Sequence, residues 1–294
     1  MDTNDLLHRW STLSLAEIED EIRRGEDQET VIQLLGAETV AEIQAVSFAP
    51  PVPGPREEVV LIPGIMGSNL ASIRGVTTLL WVNPLLFLQG NGRFLRLNPA
   101  GDEDEAPEVE VMPIGLEKLA YLKTSLNFNR QVNLHEFPYD WRRPIEYNAD
   151  VLHRSIDRWS AGDPQRKFSL VAHSMGGLAV RAWLRDSDGD ARVHGVVTIG
   201  TPHQGTWLGR FGRAANTRQM RWQSPWLAEL AAREPAERYR RFTCFHGHCD
   251  NIAFPCSTAT LPGADNRHLR GHAHVHLLRH PAVLAEVLRR LQPP

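Results

Sequence analysis

The 294-residue chain reads as an α/β fold, a mostly parallel sheet with helices on both faces. Three observations carry that reading. Beyond residue 56, short apolar runs alternate with helix-length amphipathic stretches. One of these runs ends abruptly in a serine followed, one residue on, by two glycines. A hydrophobic content of 42% in a chain this long also suffices for one large core.

Taken in order, the expected strands are Val59 to Ile62, Val132 to His135, Phe168 to Val171, Val196 to Ile199 and Phe242 to Phe245. The expected helices include Ala149 to Trp159, Met175 to Leu184 and Ala282 to Leu291. Ahead of them, residues 12–46 read as two or three short amphipathic helices. Ser14 with Glu17 three residues later has the form of a capping box, Leu15, Ile18 and Ile22 recur at helical spacing, and Gly25 stops the pattern. Val31, Leu34, Leu35, Val40 and Ile43 continue it. The proline-rich run at 50–56 reads as a stiff linker. The expected organisation is therefore a helical appendage over 1–49, the linker, and an α/β domain over 57–294 with a cap or lid at about 205–239. The acidic run Gly101 to Glu105 reads as a solvated loop.

A net charge of −3 argues against nucleic acid as a partner. Three cysteines make no disulfide framework, although Cys249 and Cys256 bracket a short turn and could pair under oxidising conditions. The acidic start Met1 to Asp5 leads into no long apolar run, so a cytoplasmic protein is expected, at most peripheral to a membrane.

The chemistry centres on Ala172-His173-Ser174-Met175-Gly176-Gly177. A strand running through a sharp turn of small residues into a helix is the setting of a nucleophile elbow, which lifts one hydroxyl above the sheet. Ala172 stands where the usual pattern has its first glycine, a mild departure. A serine needs a base, and the base needs an orienting carboxylate. Asp250, just past the strand at 242–245, is the expected acid, with Asp265 as the fallback. The base belongs in Gly271-His272-Ala273-His274-Val275-His276, where composition does not choose among three histidines. On a strand the three would share one face, and with His246, His248, Cys249 and Cys256 upstream they could instead clasp zinc. A serine-centred turn requires no metal, and none is expected, nor any other cofactor. The backbone N–H groups of Met175 and of Ile65, in Pro63-Gly64-Ile65-Met66-Gly67-Ser68, are the expected oxyanion donors.

These segments, with Tyr139-Asp140-Trp141-Arg142 and Ile199-Gly200-Thr201-Pro202-His203-Gln204-Gly205, occur in an order that resembles the lecithin–cholesterol acyltransferase-like group of α/β-hydrolases. That group includes phospholipases, acyltransferases and bacterial esterase and lipase relatives. The resemblance covers roughly residues 57 to 290 and implies Ser174 as nucleophile, Asp250 as acid and Ile65 and Met175 as oxyanion donors. Gly271 through His274 resembles a G-x-x-H signature of bacterial lipases, which implies His274 as the base. The eukaryotic members are secreted or lysosomal and disulfide-bearing, so their particular lipid substrates do not carry over.

On the substrate side, Trp207 and Trp222 in the cap and Trp81 beside Leu85 to Leu88 are expected to line an acyl pocket or meet a lipid surface. The same tryptophans could simply pack the cap onto the core. Asp140 reads as a structural ion-pair partner. The expected function is a serine hydrolase cleaving carboxylic esters of apolar acyl chains. The alternatives are a phospholipase or acyltransferase on the same residues, or a catalytically idle scaffold that recruits a protein partner through residues 12–46.

Overall fold

A computed structural model describes residues 3–48, 56–74, 78–81, 91–106, 108–186 and 189–291. The expected linker at 50–55 and the run Leu85 to Leu88 lie outside the described residues. At the N-terminus stand four helices rather than two or three: α1 (Thr3–Thr12), α2 (Leu15–Arg24), α3 (Gln28–Leu35) and α4 (Ala37–Phe48). The sequence pattern misses α1 because its buried apolar face among the described side chains is just Leu6 and Trp10, one turn apart. The capping box at Ser14 forms as read: Glu17 N–H donates to the Ser14 hydroxyl and Ser14 N–H to the Glu17 carboxylate. Gly25 ends α2 at φ 71°, a left-handed position that glycine adopts without steric cost.

The main sheet has six parallel strands in the order β5 (Asn133–Glu136), β1 (Glu58–Ile62), β6 (Phe168–His173), β7 (Val193–Ile199), β8 (Phe242–Gly247) and β9 (Asp265–Leu269). β1, β6 and β8 are almost wholly buried, which is why they read as unbroken apolar runs rather than alternating ones. A second, antiparallel sheet of β2 (Ser68–Ser72), β3 (Thr78–Trp81) and β4 (Val111–Leu116) covers one end. The chain passes from β1 to β5 on one side and returns to β6 on the other, so strand order reverses at β1. Such a reversal opens a crevice at the strands' carboxyl ends.

Between the two sheets runs α5 (Lys118–Asn129), whose first turn is capped by the Glu117 carboxylate accepting from Leu119 and Ala120 N–H, both at 2.8 Å. Leu122 and Leu126 of α5 are buried in one apolar cluster with Leu6, Trp10, Ile18, Ile22, Val31, Val40 and Ile43. The apolar faces of the front helices are thus occupied within the chain. Ion pairs Arg130–Glu19 and Lys123–Glu42 flank this seam. Further helices are α6 (Ile145–Ser160), α7 (Met175–Asp186), α8 (Ala215–Gln219), α9 (Pro225–Arg233), α10 (His274–Arg279) and α11 (Pro281–Leu291). No helix among the described residues is long and apolar enough to cross a membrane.

The acidic run at 101–105 is a loop, yet Asp104 is not left to solvent. Arg142 Nη1 donates to it at 2.6 Å while gripping Asp140 through Nε and Nη2 at 2.8 and 2.7 Å. Asp140 is an ion-pair partner in this structure, and its charge is held by a nearly buried guanidinium. Leu122→Ala, at the centre of the seam between α5 and the front helices, is expected to cost about 2–5 kcal/mol by urea denaturation.

Candidate active site

The carboxyl ends of β1, β6, β7 and β8 converge, and each delivers one part of the site. β6 ends in Ser174, whose φ of 53° lies in the left-handed region, a strain of order 1–3 kcal/mol in a residue with a side chain. β1 ends in the loop at 63–67, which crosses directly over that turn. A Cβ on Gly64 would stand 2.7 Å from Ser174 Cβ, and one on Gly176 would run into the Pro63 carbonyl oxygen. Glycine is required at both places because two backbones are nearly touching.

Asp250 follows β8 and His274 opens α10, and the two are buried together. His274 Nδ1 lies 2.8 and 3.0 Å from the two Asp250 oxygens. The carboxylate also accepts from Ile252 and Ala253 N–H at 2.9 and 2.8 Å. Burial alone would raise the Asp250 pKa; the His274 contact and the two amides outweigh it and hold it below the ordinary value. Gly200, at the end of β7, packs beneath the pair at φ 60°, where a Cβ would lie 2.9 Å from His274 Nδ1.

His274 reaches the elbow through ring contact with His173, centroid to centroid 4.7 Å. Among the described residues no hydrogen bond joins the Ser174 hydroxyl to His274; such bonds commonly close only when substrate is bound. Ile65 N–H has no partner among the described residues, and Met175 N–H is the first of α7, a donor the helix itself leaves unused. His272 and His276 stand apart from the Asp250–His274 pair. His272 stacks edge-on against His280 at 4.3 Å, and because His274 begins a helix the three alternating histidines share no strand face. His246 stacks on His268 at 5.1 Å with His248 beside them; Cys244, Cys249 and Cys256 are all free thiols. Among the described residues no group of three or more His, Cys, Asp or Glu could hold a metal.

Side chains that sequence reasoning did not assign brace the 63–67 loop. Gly64 N–H donates to the Tyr121 oxygen at 2.8 Å, and the phenol proton faces His173 Nδ1 at 2.7 Å. Tyr139 donates its hydroxyl to Pro63 O at 2.8 Å, while Trp141 and Trp81 donate indole N–H to Ser68 O and Met66 O. The Tyr139-Asp140-Trp141-Arg142 motif was the visible signal for part of this; Tyr121 carries none, since it comes from a helix with no motif. Burial first, and the neighbouring His274 second, push the His173 pKa down to about 3, so the ring is neutral.

A cavity of about 810 Å³ opens beside the loop, with Ile65, Leu95, Leu97 and Trp141 in its lining. The three tryptophans expected there are not part of that lining. Trp81 packs edge-on against the back of Trp141, at 5.3 Å. Trp207 and Trp222 contact each other at 5.2 Å and, with Phe254 against Trp207 at 5.5 Å, form a separate half-exposed aromatic face. Within 205–239, Met220, Leu227 and Leu230 take buried positions, while Trp207 and Trp222 stay half-exposed.

A family model described as lecithin:cholesterol acyltransferase matches residues 116–209, which include the elbow. An uncharacterized protein of Saccharomyces cerevisiae is 26% identical over 157 residues, 50% of this chain and 23% of that protein, so the chain spans less than a quarter of its length. The mature form of a Bacillus licheniformis lipase, BlEst2, superposes with a TM-score of 0.54 at 14% identity, covering 83% of this chain and 96% of that one. Its propeptide form gives 0.53 at 13% identity over 81% of this chain and 52% of that one. The chain has the α/β-hydrolase fold, and its elbow region resembles the lecithin–cholesterol acyltransferase-like group.

Tyr121→Phe leaves the Gly64 N–H and a His173 nitrogen unpaired in the interior and is expected to cost about 1–3 kcal/mol; an unchanged urea midpoint would contradict the network. Stability is also expected to depend on pH through His173. Between about pH 6.5 and the folded value near 3, the unfolded chain takes up a proton that the folded ring refuses. Stability therefore falls as pH falls through that window, by about 1.4 kcal/mol per pH unit for this group. Buried His203, also held well below its ordinary value by burial, adds in the same sense. Asp250, held below its ordinary value in the folded chain, acts in the same sense: its stabilising contribution is lost as pH falls below about 4. Urea denaturation at a series of pH values should show the slope, and His173→Gln should reduce it.

Proposed function

We propose that the chain is a serine hydrolase that cleaves carboxylic esters of apolar acyl chains through an acyl-enzyme. The observation that carries this reading is the buried Asp250–His274 pair beside a serine held at φ 53° on a strand-to-helix turn. Ser174 Oγ attacks the ester carbonyl as His274 Nε2 takes its proton. The oxyanion accepts from Ile65 and Met175 N–H. Collapse breaks the bond to the alcohol, which leaves with the proton from His274, and the acyl group stays on Ser174. Water then attacks the acyl carbon, giving a proton to His274 that returns to Ser174. Asp250 holds the imidazole in the tautomer that presents Nε2 to the serine.

The α/β-hydrolase fold and the resemblance at 116–209 support this reading at the level of hydrolase or acyltransferase chemistry. The acyltransferase description supports a second outcome of the same intermediate, in which an alcohol replaces water as acceptor. The exposed aromatic face of Trp207, Trp222 and Phe254 supports contact with a lipid surface from which such esters would be drawn. A fluorophosphonate should label the folded protein and fail on Ser174→Ala. Asp250→Asn should lower kcat on a model ester by about 10⁴-fold, and His274→Ala by at least as much. An unlabelled wild-type chain, or full turnover by His274→Ala, would refute the assignment.

A further inference from the structure

Positive charge predominates in the lining of the cavity beside the 63–67 loop. Among the described residues, five arginines line it, Arg96, Arg142, Arg213, Arg218 and Arg221, against a single carboxylate, Glu105. Arg142 is neutralised by Asp140 and Asp104. The other four have no such partner among the described residues. Arg218 donates to the Arg213 and Pro99 carbonyls and Arg221 to those of Gly209 and Gly212, contacts that orient a guanidinium without cancelling its charge. Arg96 and Arg213 make no side-chain ion pair or hydrogen bond among the described residues, and both are exposed at the rim. These charges come from two stretches far apart in sequence, 96 and 213–221, that the fold brings to one opening. Ile65, Leu95, Leu97 and Trp141 give the same lining apolar surface, and Asn216 reaches from it to Met175 Sδ at 3.8 Å, beside the elbow. An anion seated at the rim would therefore have its apolar stem lying toward the elbow.

We propose that this site takes an ester that itself carries an anionic group, a carboxylate or a phosphate, held by Arg96, Arg213 and Arg218 while the apolar part lies against Ile65, Leu95, Leu97 and Trp141. The inference rests on the serine-hydrolase reading for its reaction but not for its binding. A guanidinium fork matches both anions bidentately and is weakly hydrated, so it binds them at modest desolvation cost. Clustered like charges at a concave, low-dielectric opening also concentrate anions before contact.

The test begins with binding to Ser174→Ala, which cannot turn substrate over, read by the fluorescence of tryptophan, one of which, Trp141, lines the cavity. The probes share an octyl chain: octyl phosphate, octanoate and, as the neutral member, octyl glucoside below its micelle concentration. Both anions are expected to bind about tenfold or more tighter than the glucoside, equivalent to about 1.4 kcal/mol. The difference should shrink as salt is raised and vanish in Arg213→Gln/Arg218→Gln, but survive in Arg154→Gln, which removes a charge outside the cavity. The stronger of the two anions identifies the group. Equal binding of the neutral probe, or a difference indifferent to salt, would overturn the proposal even if the double variant failed to fold. Turnover by the wild-type chain of paired aryl esters, hexanoyl and adipoyl with its free carboxylate, then separates the two readings. A lower KM for the adipoyl ester is expected. Equal KM values refute the charge preference and leave the hydrolase intact, whereas no turnover of either refutes the hydrolase and leaves the binding result to decide the cavity.

Discussion

Everything at the carboxyl edge of the sheet is organised around one close approach, that of the 63–67 loop to the turn at Ser174. Two backbones can pass this near only if neither carries a side chain at the crossing, and the glycines at 64 and 176 meet that condition. Close-packed interiors do not deform continuously, so a small displacement of either segment would be felt by the other. That explains the number of fastenings on the loop: a phenol beneath Gly64, a second phenol on Pro63, and indoles on Met66 and Ser68.

Two neighbouring imidazoles at that crossing have different surroundings. His173 is sealed in apolar surroundings against a phenol and is kept neutral. His274, 4.7 Å away, faces a carboxylate that two further amides hold in its charged form. A proton taken up near the serine therefore has one ring on which its charge is compensated.

Most of the sheet was legible before any coordinates, because its central strands are buried on both faces and so appear as unbroken apolar runs. The turn at 172–177 and the loop at 63–68 were legible for a different reason: close backbone approach leaves a residue-level trace in small side chains. The choice among His272, His274 and His276 was not open to composition. It depended on resemblance, and the structure separates them by a helix start that turns His274 inward beside Asp250. Tyr121 and its link to His173 left no trace, since the pair is 52 residues apart and neither position belongs to a recurring pattern. The same long-range limit hid Asp104, whose partner Arg142 comes from another segment, and the outward setting of Trp207 and Trp222, which follows from which cap residues win the interior.

α5 has a double attachment. Tyr121 leaves the helix toward Gly64, while Leu122 and Leu126 leave it toward the four front helices. The helix is thus a party wall, with the 63–67 loop leaning on one side and the N-terminal bundle on the other. A wall of this kind has a single position that both rooms must accept, so the front helices set the depth at which Tyr121 meets the loop although none of their residues comes near Ser174 through the contacts described. The N-terminal helices, which from sequence alone stand outside the catalytic pattern, are in mechanical terms part of the foundation on which that pattern rests.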